Sequence, residues 1–352
     1  MRLLRYVLGE LALLVTVIAA LATGLAQGAL AFSRMAHTHR EQALARLYPP
    51  RWGMSAPPDP AIATEAAGMF LGMSDDLLLA RLRQAPIAKT KLNKGGSSLS
   101  FRLEFADGSR AAFKPAQTNL QTIPRKEVAA YRLCRLLGLV GVPPAVPRSV
   151  SRDELLAHLH PESLPSLPRI RAETLFNPQG KTSGAASYWI PEIRDAGLDT
   201  PAGMQRSAAW LKIGQEIAPE ERGLAAQVSD LVVFDFLTAN PDRYSGGNIK
   251  TSPEGDRLYF MDNTMAFFLS AEGHPRNRAW LDKTERFSRR LWGALDRITE
   301  RGLVRLVGPD KESQEVLTIS EIRAVVARRE TLQRHVRALL ASHEEAEVFP
   351  FP

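Results

Sequence analysis

The sequence predicts an α+β fold in two lobes, a β-rich lobe followed by a helical lobe, behind an apolar N-terminal segment. Three observations predict it: an alternating strand pair near residue 100, apolar helical stretches in the second half, and an uncharged run near the start. With 352 residues, 45% hydrophobic and 24% charged, the chain suits about two globular domains. This composition excludes a disordered tail, a collagen-like rod and a polytopic membrane protein.

Cysteine content and charge narrow the function classes. The single cysteine, Cys134, excludes an intramolecular disulfide framework, and the scattered histidines argue against a zinc hydrolase. A formal net charge of +7 suits phosphate-bearing or anionic-lipid partners. The basic residues are spread along the chain, however, so an Arg-rich composition also accounts for the charge. We expect no nucleic-acid partner.

Residues 1–35 are predicted to be a membrane anchor or a signal segment. Residues 11–32 carry no charge and would span roughly 30 Å as a helix, enough to cross a bilayer. Arginines lie on both sides of the segment, so the charges do not indicate the membrane side of the remaining chain. A single-pass anchor is the first interpretation, and a cleaved signal or a buried core helix stays open.

Composition also suggests domain boundaries. Residues 36–60 are polar and then proline-rich, as in a tether, and residues 61–85 have apolar residues at helical spacing. The proline-rich stretch 158–179 is predicted to be a loop that separates the lobes or joins strands at a sheet edge. The predicted divisions are a linker and helical lead-in at 36–90, an N-lobe at 91–186 and a C-lobe at 187–346.

The N-lobe begins with a predicted β-hairpin. Residues 99–105 alternate apolar and polar side chains, which is the pattern of a half-buried strand. Asp107-Gly108 is a strong turn signal, and the return strand carries Lys114. A helix of about 13 residues should then run from Pro124 to a stop at Gly138.

The second half is predicted to be mainly helical. The predicted elements are a mostly buried helix at 222–239, an apolar strand at 258–261, and helices at 281–306 and 320–341, the last capped by Ser320. Asn240-Pro241 ends the first of these helices. Asp230 and Asp235 lie on its largely apolar surface, and we interpret them as structural partners, with Arg243 as the candidate cation.

The order of polar residues along these elements fits phosphoryl transfer. That reaction needs a backbone cradle for phosphates, a cation on the phosphate oxygens, metal ligands and a carboxylate that receives a hydroxyl proton. The candidates, in chain order, are the loop Gly95-Gly96-Ser97, then Lys114, Glu127 on the next helix, Asp242 in a loop, and Asn248 and Asp262 as oxygen ligands for Mg²⁺ or Mn²⁺. Each residue alone has an ordinary structural explanation, such as helix-dipole compensation or a turn. Asp262 is harder to explain in that way, because a carboxylate after four apolar residues needs a cation or donors nearby.

Several sequence pieces occur in a fixed order: GGSSLSFRLEF, AAFKP, a helix of the form E-x-x-A-Y-x-L-x-R-L-L-G, VPP, FDFLTANPDRY and LYFMDNTMAFF. Together they resemble the secretory-pathway kinase family of the four-jointed and Golgi casein kinase type. The resemblance covers residues 92–300. HipA-type and phosphatidylinositol kinases are wider relatives with the same atypical kinase fold.

The resemblance implies a two-lobed, atypical protein-kinase-like fold that uses ATP with Mg²⁺ or Mn²⁺. The implied roles are Lys114 on the ATP phosphates, Glu127 as its helix partner, Asp242 as catalytic acid–base, Asp262 as metal ligand, Asn248 as catalytic-loop asparagine, and Gly95, Gly96 and Ser97 as phosphate loop. Residues 188–192, with Trp189 and Ile190, would form the hinge against which adenine packs.

Three positions depart from the family pattern. Tyr244 replaces a histidine, Thr264 replaces a glycine, and Asn248 lies one position late, so that Gly247 looks like an insertion. The implied activity is transfer of the ATP γ-phosphoryl group to a hydroxyl of a protein or glycan by a membrane-tethered enzyme. The alternatives are a catalytically inactive nucleotide-binding or scaffold protein and adenylyl transfer on the same fold.

Overall fold

The computed structural model describes residues 68–245, 247–307 and 316–352, together with residues 24, 25, 27, 28 and 35. The chain divides into two compact units, residues 1–50 and 51–352. In the first unit the described residues are helical and exposed. Almost all of the predicted membrane segment at 11–32, and the whole predicted tether at 36–60, lie outside the described residues. Within the part that is described, no helix is long and apolar enough to cross a membrane.

A five-stranded antiparallel sheet forms the N-terminal lobe of the second unit. The strands before and in this sheet are β1 (Met69–Phe70), β2 (Met73–Ser74), β3 (Ile87–Leu92), β4 (Phe101–Phe105), β5 (Arg110–Pro115), β6 (Ala145–Ser151) and β7 (Lys181–Tyr188). The sheet order is β3-β4-β5-β7-β6. The predicted hairpin is confirmed as β4 and β5, and their apolar side chains form the core of this lobe.

The helical spacing predicted for 61–85 is only partly correct. Residues 61–67 lie outside the described residues, and β1 and β2 pair as a short hairpin. Leu71 between them has φ 50°, a left-handed conformation that a right-handed helix cannot contain. The helix α1 (Asp75–Gln84) starts only after this turn, where Ser74 accepts a hydrogen bond from the Leu77 N–H and caps it.

The helices of the N-lobe follow one another between the strands. They are α2 (Arg125–Leu136), α3 (Arg152–Ala157), the 3₁₀ helix Pro161–Ser166 and α4 (Leu167–Glu173). The predicted helix after Pro124 is therefore confirmed. The loop predicted at 158–179 is wrong over 161–173, because Pro161 and Pro168 occupy first-turn positions, where proline starts a helix rather than breaking it. This stretch joins β6 to β7 within one sheet.

The C-terminal lobe is mainly helical and carries a small three-stranded antiparallel sheet. Its elements are β8 (Arg194–Asp195), α5 (Pro201–Trp210), the 3₁₀ helix Pro219–Glu221, α6 (Arg222–Thr238), β9 (Ile249–Thr251), β10 (Leu258–Phe260), α7 (Pro275–Leu281), α8 (Arg289–Ala294), the 3₁₀ helix Leu295–Arg297, α9 (Glu300–Val307), α10 (Ile319–Leu340) and α11 (Glu345–Val348). The C-terminal half of α6 is buried throughout, as its apolar sequence predicts.

Two predicted helices differ from the structure. The span 281–306 is interrupted, because α7 ends at Leu281, α8 starts anew at the cap Ser288, and a 3₁₀ turn precedes α9. Helix α10 is capped by Thr318 and not by Ser320. The Thr318 hydroxyl accepts from the Glu321 N–H while the Glu321 carboxylate accepts from the Thr318 N–H, and this reciprocal pair fixes the start.

Candidate active site

A cavity of about 400 Å³ lies between the N-lobe sheet and the loops of the C-lobe. Six of the residues predicted for the site line it: Gly95, Gly96, Lys114, Glu127, Asn248 and Asp262. They come from the loop before β4, from β5, from the first turn of α2 and from the segments that flank β9 and β10. The structure therefore brings together groups that are far apart along the chain.

Lys114 occupies the centre of this cluster. Its Nζ lies 3.0 Å from Glu127 Oε1 and 2.7 Å from Asp262 Oδ1. Ala112, two residues earlier on β5, lines the same cavity, as strand alternation requires. Burial by itself lowers the pKa of Lys114, but Asp262 and Glu127 outweigh burial and raise that pKa above its ordinary value. The ammonium group consequently stays charged at neutral pH.

Asp262 follows β10 and has φ 50°. Its Oδ1, which pairs with Lys114, also accepts a hydrogen bond of 2.7 Å from the Thr264 hydroxyl. Burial raises the pKa of Asp262, but Lys114 and Thr264 together hold it below its usual range. Thr264, which departs from the family's glycine, therefore supplies a partner to the carboxylate. Since Oδ1 makes these contacts, Oδ2 is the oxygen left for a cation.

Asp242 and Asn248 lie together in the loop after α6. The Asn248 side-chain amide donates to Asp242 Oδ2 at 3.1 Å and to its backbone oxygen at 2.9 Å, and the Ser245 hydroxyl donates to Oδ1. Asn248 lines the cavity, whereas Asp242 is joined to it through Asn248. The amide nitrogen of Asn248 is engaged in this way, which leaves its carbonyl oxygen for a metal.

Arg243 ties the loop to the rest of the lobe. It is fully buried, and its Nε donates to both carboxylate oxygens of Asp235 at 3.1 and 3.0 Å. Its Nη1 donates to the backbone oxygens of Asn248 and Met261, and its Nη2 donates to Asn263 Oδ1 at 2.6 Å. The predicted pairing of Asp235 with Arg243 is confirmed. Burial raises the pKa of Asp235 to about 6, and Arg243 opposes that rise.

Asn263 and Asn240 extend the same network to the N-lobe and to Asp242. The backbone N–H of Asn263 donates to Glu127 Oε2 at 3.1 Å. Asn240 is fully buried, donates to the Asp262 carbonyl at 3.3 Å and accepts from the Asp242 N–H at 3.2 Å. Sequence reasoning missed both residues, because Asn-Pro and Asp-Asn also occur as ordinary turns.

Tyr244, which stands where the family pattern has a histidine, packs against a neighbouring aromatic ring. Its ring stacks on Trp280 of α7 with 4.8 Å between centroids and 14° between planes. Its hydroxyl is buried and has no hydrogen-bond partner among the described residues. The aromatic ring therefore supports the Asp242 loop by stacking.

Three residues predicted to bind the nucleotide do not line the cavity. The Ser97 carbonyl is directed to a guanidinium group outside it. Ile190 is 5% exposed and packs in an apolar cluster with residues of β1 and α1, and the Trp189 ring lies beneath an arginine of β4. Ser187 and Tyr188, at the end of β7, line the cavity at this place.

The donor set fits a metal–nucleotide complex. Within the described ranges, no three histidine, cysteine or acidic side chains form a group that could hold a metal alone. Mg²⁺ and similar ions, however, are usually held by one or two carboxylates together with water and phosphate oxygens. Asp262 and Asn248 supply hard oxygen atoms of that kind, next to a lysine able to pair with a phosphate.

No family model matches the chain, but comparison with individual proteins finds similar sequences and folds. The four-jointed box protein 1 of Xiphophorus maculatus is 27% identical over 207 residues, which is 52% of this chain and 44% of that protein. The chain thus spans less than half the length of this curated relative. The Golgi casein kinase with Mn and ADP bound has a TM-score of 0.61 at 17% identity and covers 78% of both chains. The structure of hydra Fam20 with sugar has a TM-score of 0.60 at 16% identity, covering 82% of this chain and 97% of that one.

The chain resembles the four-jointed and Fam20 secretory kinases. The resemblance predicted from the sequence pieces and the kinase-like two-lobed α+β fold are both confirmed. At these identities the solved structures show the fold, and the roles of individual residues stay predictions.

Proposed function

We propose that this chain is a secretory-pathway phosphotransferase that moves the γ-phosphoryl group of ATP to a hydroxyl of a protein or glycan, using Mg²⁺ or Mn²⁺. The observation that carries the proposal is Lys114, held between Glu127 and Asp262 in a cleft that Gly95 and Gly96 also line. The fold-sharing Golgi casein kinase was solved with Mn and ADP, and hydra Fam20 with sugar. Tethering through residues 11–32 belongs to the same proposal.

Nucleotide binding is assigned to the roof of the cleft. Gly95 and Gly96 have φ of 85° and 79°, which lets the backbone approach phosphate oxygens without side chains in between. Lys114 supplies the positive charge for the phosphates, and Glu127 fixes the direction of its ammonium group. Tyr188, at the end of β7, lines the cavity and is available to pack against the adenine, whereas Trp189 and Ile190 do not line it.

Asp262 and Asn248 would hold the metal ion, which when bound neutralises charge on the phosphates. Asp242 is the carboxylate assigned to receive the proton of the attacking hydroxyl. Ser245 and Asn248 each donate to one of its oxygens, so its orientation is fixed before the acceptor arrives. Such positioning of a base, together with charge stabilisation, is the main contribution of a protein to this reaction.

Turnover of ATP by the purified full-length chain tests the proposal. With Mn²⁺ and a hydroxyl-rich protein acceptor such as casein, we expect metal-dependent formation of ADP and a phosphate adduct on the acceptor. ADP binding without turnover by the unmodified chain would favour the non-catalytic alternative. An AMP adduct, detected by mass, would identify adenylyl transfer instead.

A further inference from the structure

The helical stretch between β6 and β7 runs beside the glycine loop. This stretch, the 161–173 insert, consists of the 3₁₀ helix Pro161–Ser166 and α4. The Leu92 N–H donates to Ser163 Oγ at 2.9 Å, and the Lys91 ammonium lies 2.9 Å from Glu162 Oε2. The insert is therefore bonded to the end of β3, where the glycine loop begins.

Arg169 on α4 extends these contacts to the tip of the loop. Its Nη2 donates to the Ser97 carbonyl at 2.8 Å, and its Nε donates to Glu173 Oε1 at 3.0 Å. One planar guanidinium thus bridges a side chain of its own helix and the backbone of the loop, which is a geometry that arginine suits. Glu173 is itself anchored, because its carbonyl accepts from the Thr118 N–H at 2.9 Å.

The loop has little else to hold its middle. Gly95 and Gly96 are exposed, and a Cβ atom added to either would meet no atom within 4 Å. At the far end, Leu99 is fixed because its N–H donates to Gln117 Oε1 at 2.7 Å and its carbonyl accepts from Gln117 Nε2 at 2.9 Å. The Asn93 N–H donates to the Ser100 carbonyl at 2.8 Å and closes the base of the loop. From Lys94 to Ser98, among the described residues, the contact from Arg169 is the side-chain hydrogen bond that reaches the loop backbone.

The contact from Arg169 lies on the side of the loop that faces away from the cavity. Gly95, Gly96 and Ser98 line the cavity, whereas Ser97 does not, and its carbonyl is directed to Arg169. A carbonyl directed into the cavity would repel phosphate oxygens and displace the N–H groups that attract them. Holding that carbonyl outside prepares the loop for an anion and lowers the entropy cost of ordering it on binding.

We propose that Arg169 is a positioning residue, which orients the glycine loop for phosphate binding by holding the Ser97 carbonyl outside the cavity. The phosphate part of this proposal rests on the proposed function, while the restraint on the loop does not. Because Arg169 acts on the ground-state loop and touches no reacting atom, its loss affects nucleotide binding and leaves the chemical step unchanged.

The test compares variants of the full-length chain by calorimetric titration with ADP in the presence of Mn²⁺. Arg169→Ala is expected to weaken binding by about three- to tenfold, the usual net size of one intramolecular hydrogen bond, since this contact is exposed to solvent. It should raise the KM for ATP by a similar factor and leave kcat unchanged. Arg169→Lys is expected to be intermediate, because an ammonium group does not present the same fork to both acceptors.

Arg171→Ala is the matched control. Arg171 is exposed on the same helix, and within the part of the chain that the structure describes its side chain makes no hydrogen bond or ion pair. Hydrogen exchange of the amides at 93–98 in ligand-free protein should accelerate in Arg169→Ala and stay at the wild-type rate in Arg171→Ala.

The outcomes separate the two proposals. If the wild type binds Mn²⁺ and ADP and Arg169→Ala binds them as tightly as Arg171→Ala does, Arg169 does not position the loop and the inference is overturned. If the wild type binds no ADP, the proposed function fails. In that case hydrogen exchange still tests the contact from Arg169, and unchanged exchange at 93–98 in Arg169→Ala would show that Arg169 does not restrain the loop.

Discussion

At Lys114 one ammonium group contacts carboxylates from both lobes, Glu127 at 3.0 Å and Asp262 at 2.7 Å. The pKa of Asp262 is lowered, so its pairing with Lys114 stabilises the fold at pH values above the ordinary pKa of aspartate. This contribution is lost as the pH falls and Asp262 is protonated. A raised pKa at Lys114 means that its contribution persists below the ordinary lysine pKa and is lost only in stronger base. The charged triad is therefore intact over the neutral range in which the proposed reaction would run.

Asp242 tests the chemical step separately from binding. Asp242→Ala is expected to lower metal-dependent turnover by about 10²- to 10⁴-fold, the usual effect of removing a general base. The affinity for Mn²⁺ and ADP should stay within about twofold, since Lys114 and Asp262 keep their contacts and Asn248 keeps its hydrogen bond to the backbone oxygen of residue 242. Asp153→Ala, an exposed aspartate on α3, is the control. Full turnover in Asp242→Ala would show that the assigned base is wrong.

Helix α2 carries Glu127 and is fastened to the C-lobe through its first residue. Arg125 pairs with Glu321 of α10 through two hydrogen bonds of 2.7 and 2.9 Å, and both side chains are buried. Burial lowers the pKa of the adjacent Lys126 to about 8, although Glu321 opposes this. Glu321 is therefore the carboxylate next to two buried basic side chains, Arg125 and Lys126.

Glu321→Gln keeps the shape of this contact and removes its charge. We expect a free energy of unfolding lower by about 3–5 kcal/mol, because the buried Arg125 loses the carboxylate charge that it contacts through two hydrogen bonds. Glu300→Gln is the matched control, since Glu300 pairs with Arg323 at 3.0 Å on the surface and its loss should cost under about 1 kcal/mol. Urea unfolding measures both, and equal effects would contradict the assigned role.

Asp230 on α6 is predicted from sequence to be a structural partner of Arg243, but the structure gives that place to Asp235 alone. Asp230 is buried, and its Oδ1 has no hydrogen-bond partner among the described residues. Burial raises its pKa to about 7, with partial opposition from Arg290. The native state then binds more protons than the unfolded chain between the two pKa values, so this group lowers stability as pH rises towards 7.

Asp230→Asn removes that penalty. The variant is expected to unfold with a free energy higher than the wild type by about 1–3 kcal/mol near pH 8, and the gain should shrink near pH 4. Urea unfolding at both pH values measures this difference. Asp153→Asn, which is exposed, should show neither effect. A gain that is the same at both pH values would exclude titration of Asp230 as its cause.

Elements with strong local signals could be predicted, and those that depend on context could not. The hairpin β4–β5 follows from alternation and Asp107-Gly108, and α6 follows from its apolar sequence. The insert at 161–173 was missed because proline favours both loops and first helical turns. The break inside 281–306 lies at Ser288, whose hydroxyl caps α8 and whose backbone pairs with Phe351, a residue distant in sequence that no local pattern indicates.

For the molecule as a whole, the sequence predicts six residues that line the cavity, misplaces Ser97, Trp189 and Ile190, and does not predict how the lobes hold the site together. Phe260 donates its N–H to the Gly141 carbonyl at 2.8 Å, and a Cβ at Gly141 would meet the Phe260 ring at 2.7 Å. This close approach seats β10, and hence Asp262, against the N-lobe. The network of Asn240, Arg243 and Asn263 has no complete local signature, because two of its hydrogen bonds join the loop after α6 to the segment after β10: Arg243 to Asn263, 20 residues apart, and Asn240 to the Asp262 carbonyl, 22 residues apart.

The central claim is that the two lobes form one metal-dependent nucleotide site. Calorimetric titration of the full-length chain with ADP, with and without Mn²⁺, tests it most directly when the wild type and Asp262→Ala are compared. We predict that Mn²⁺ strengthens ADP binding by the wild type and has no such effect in Asp262→Ala, while Asp153→Ala behaves as the wild type. ADP binding that is independent of Mn²⁺, or a response to Mn²⁺ that survives in Asp262→Ala, would contradict the account.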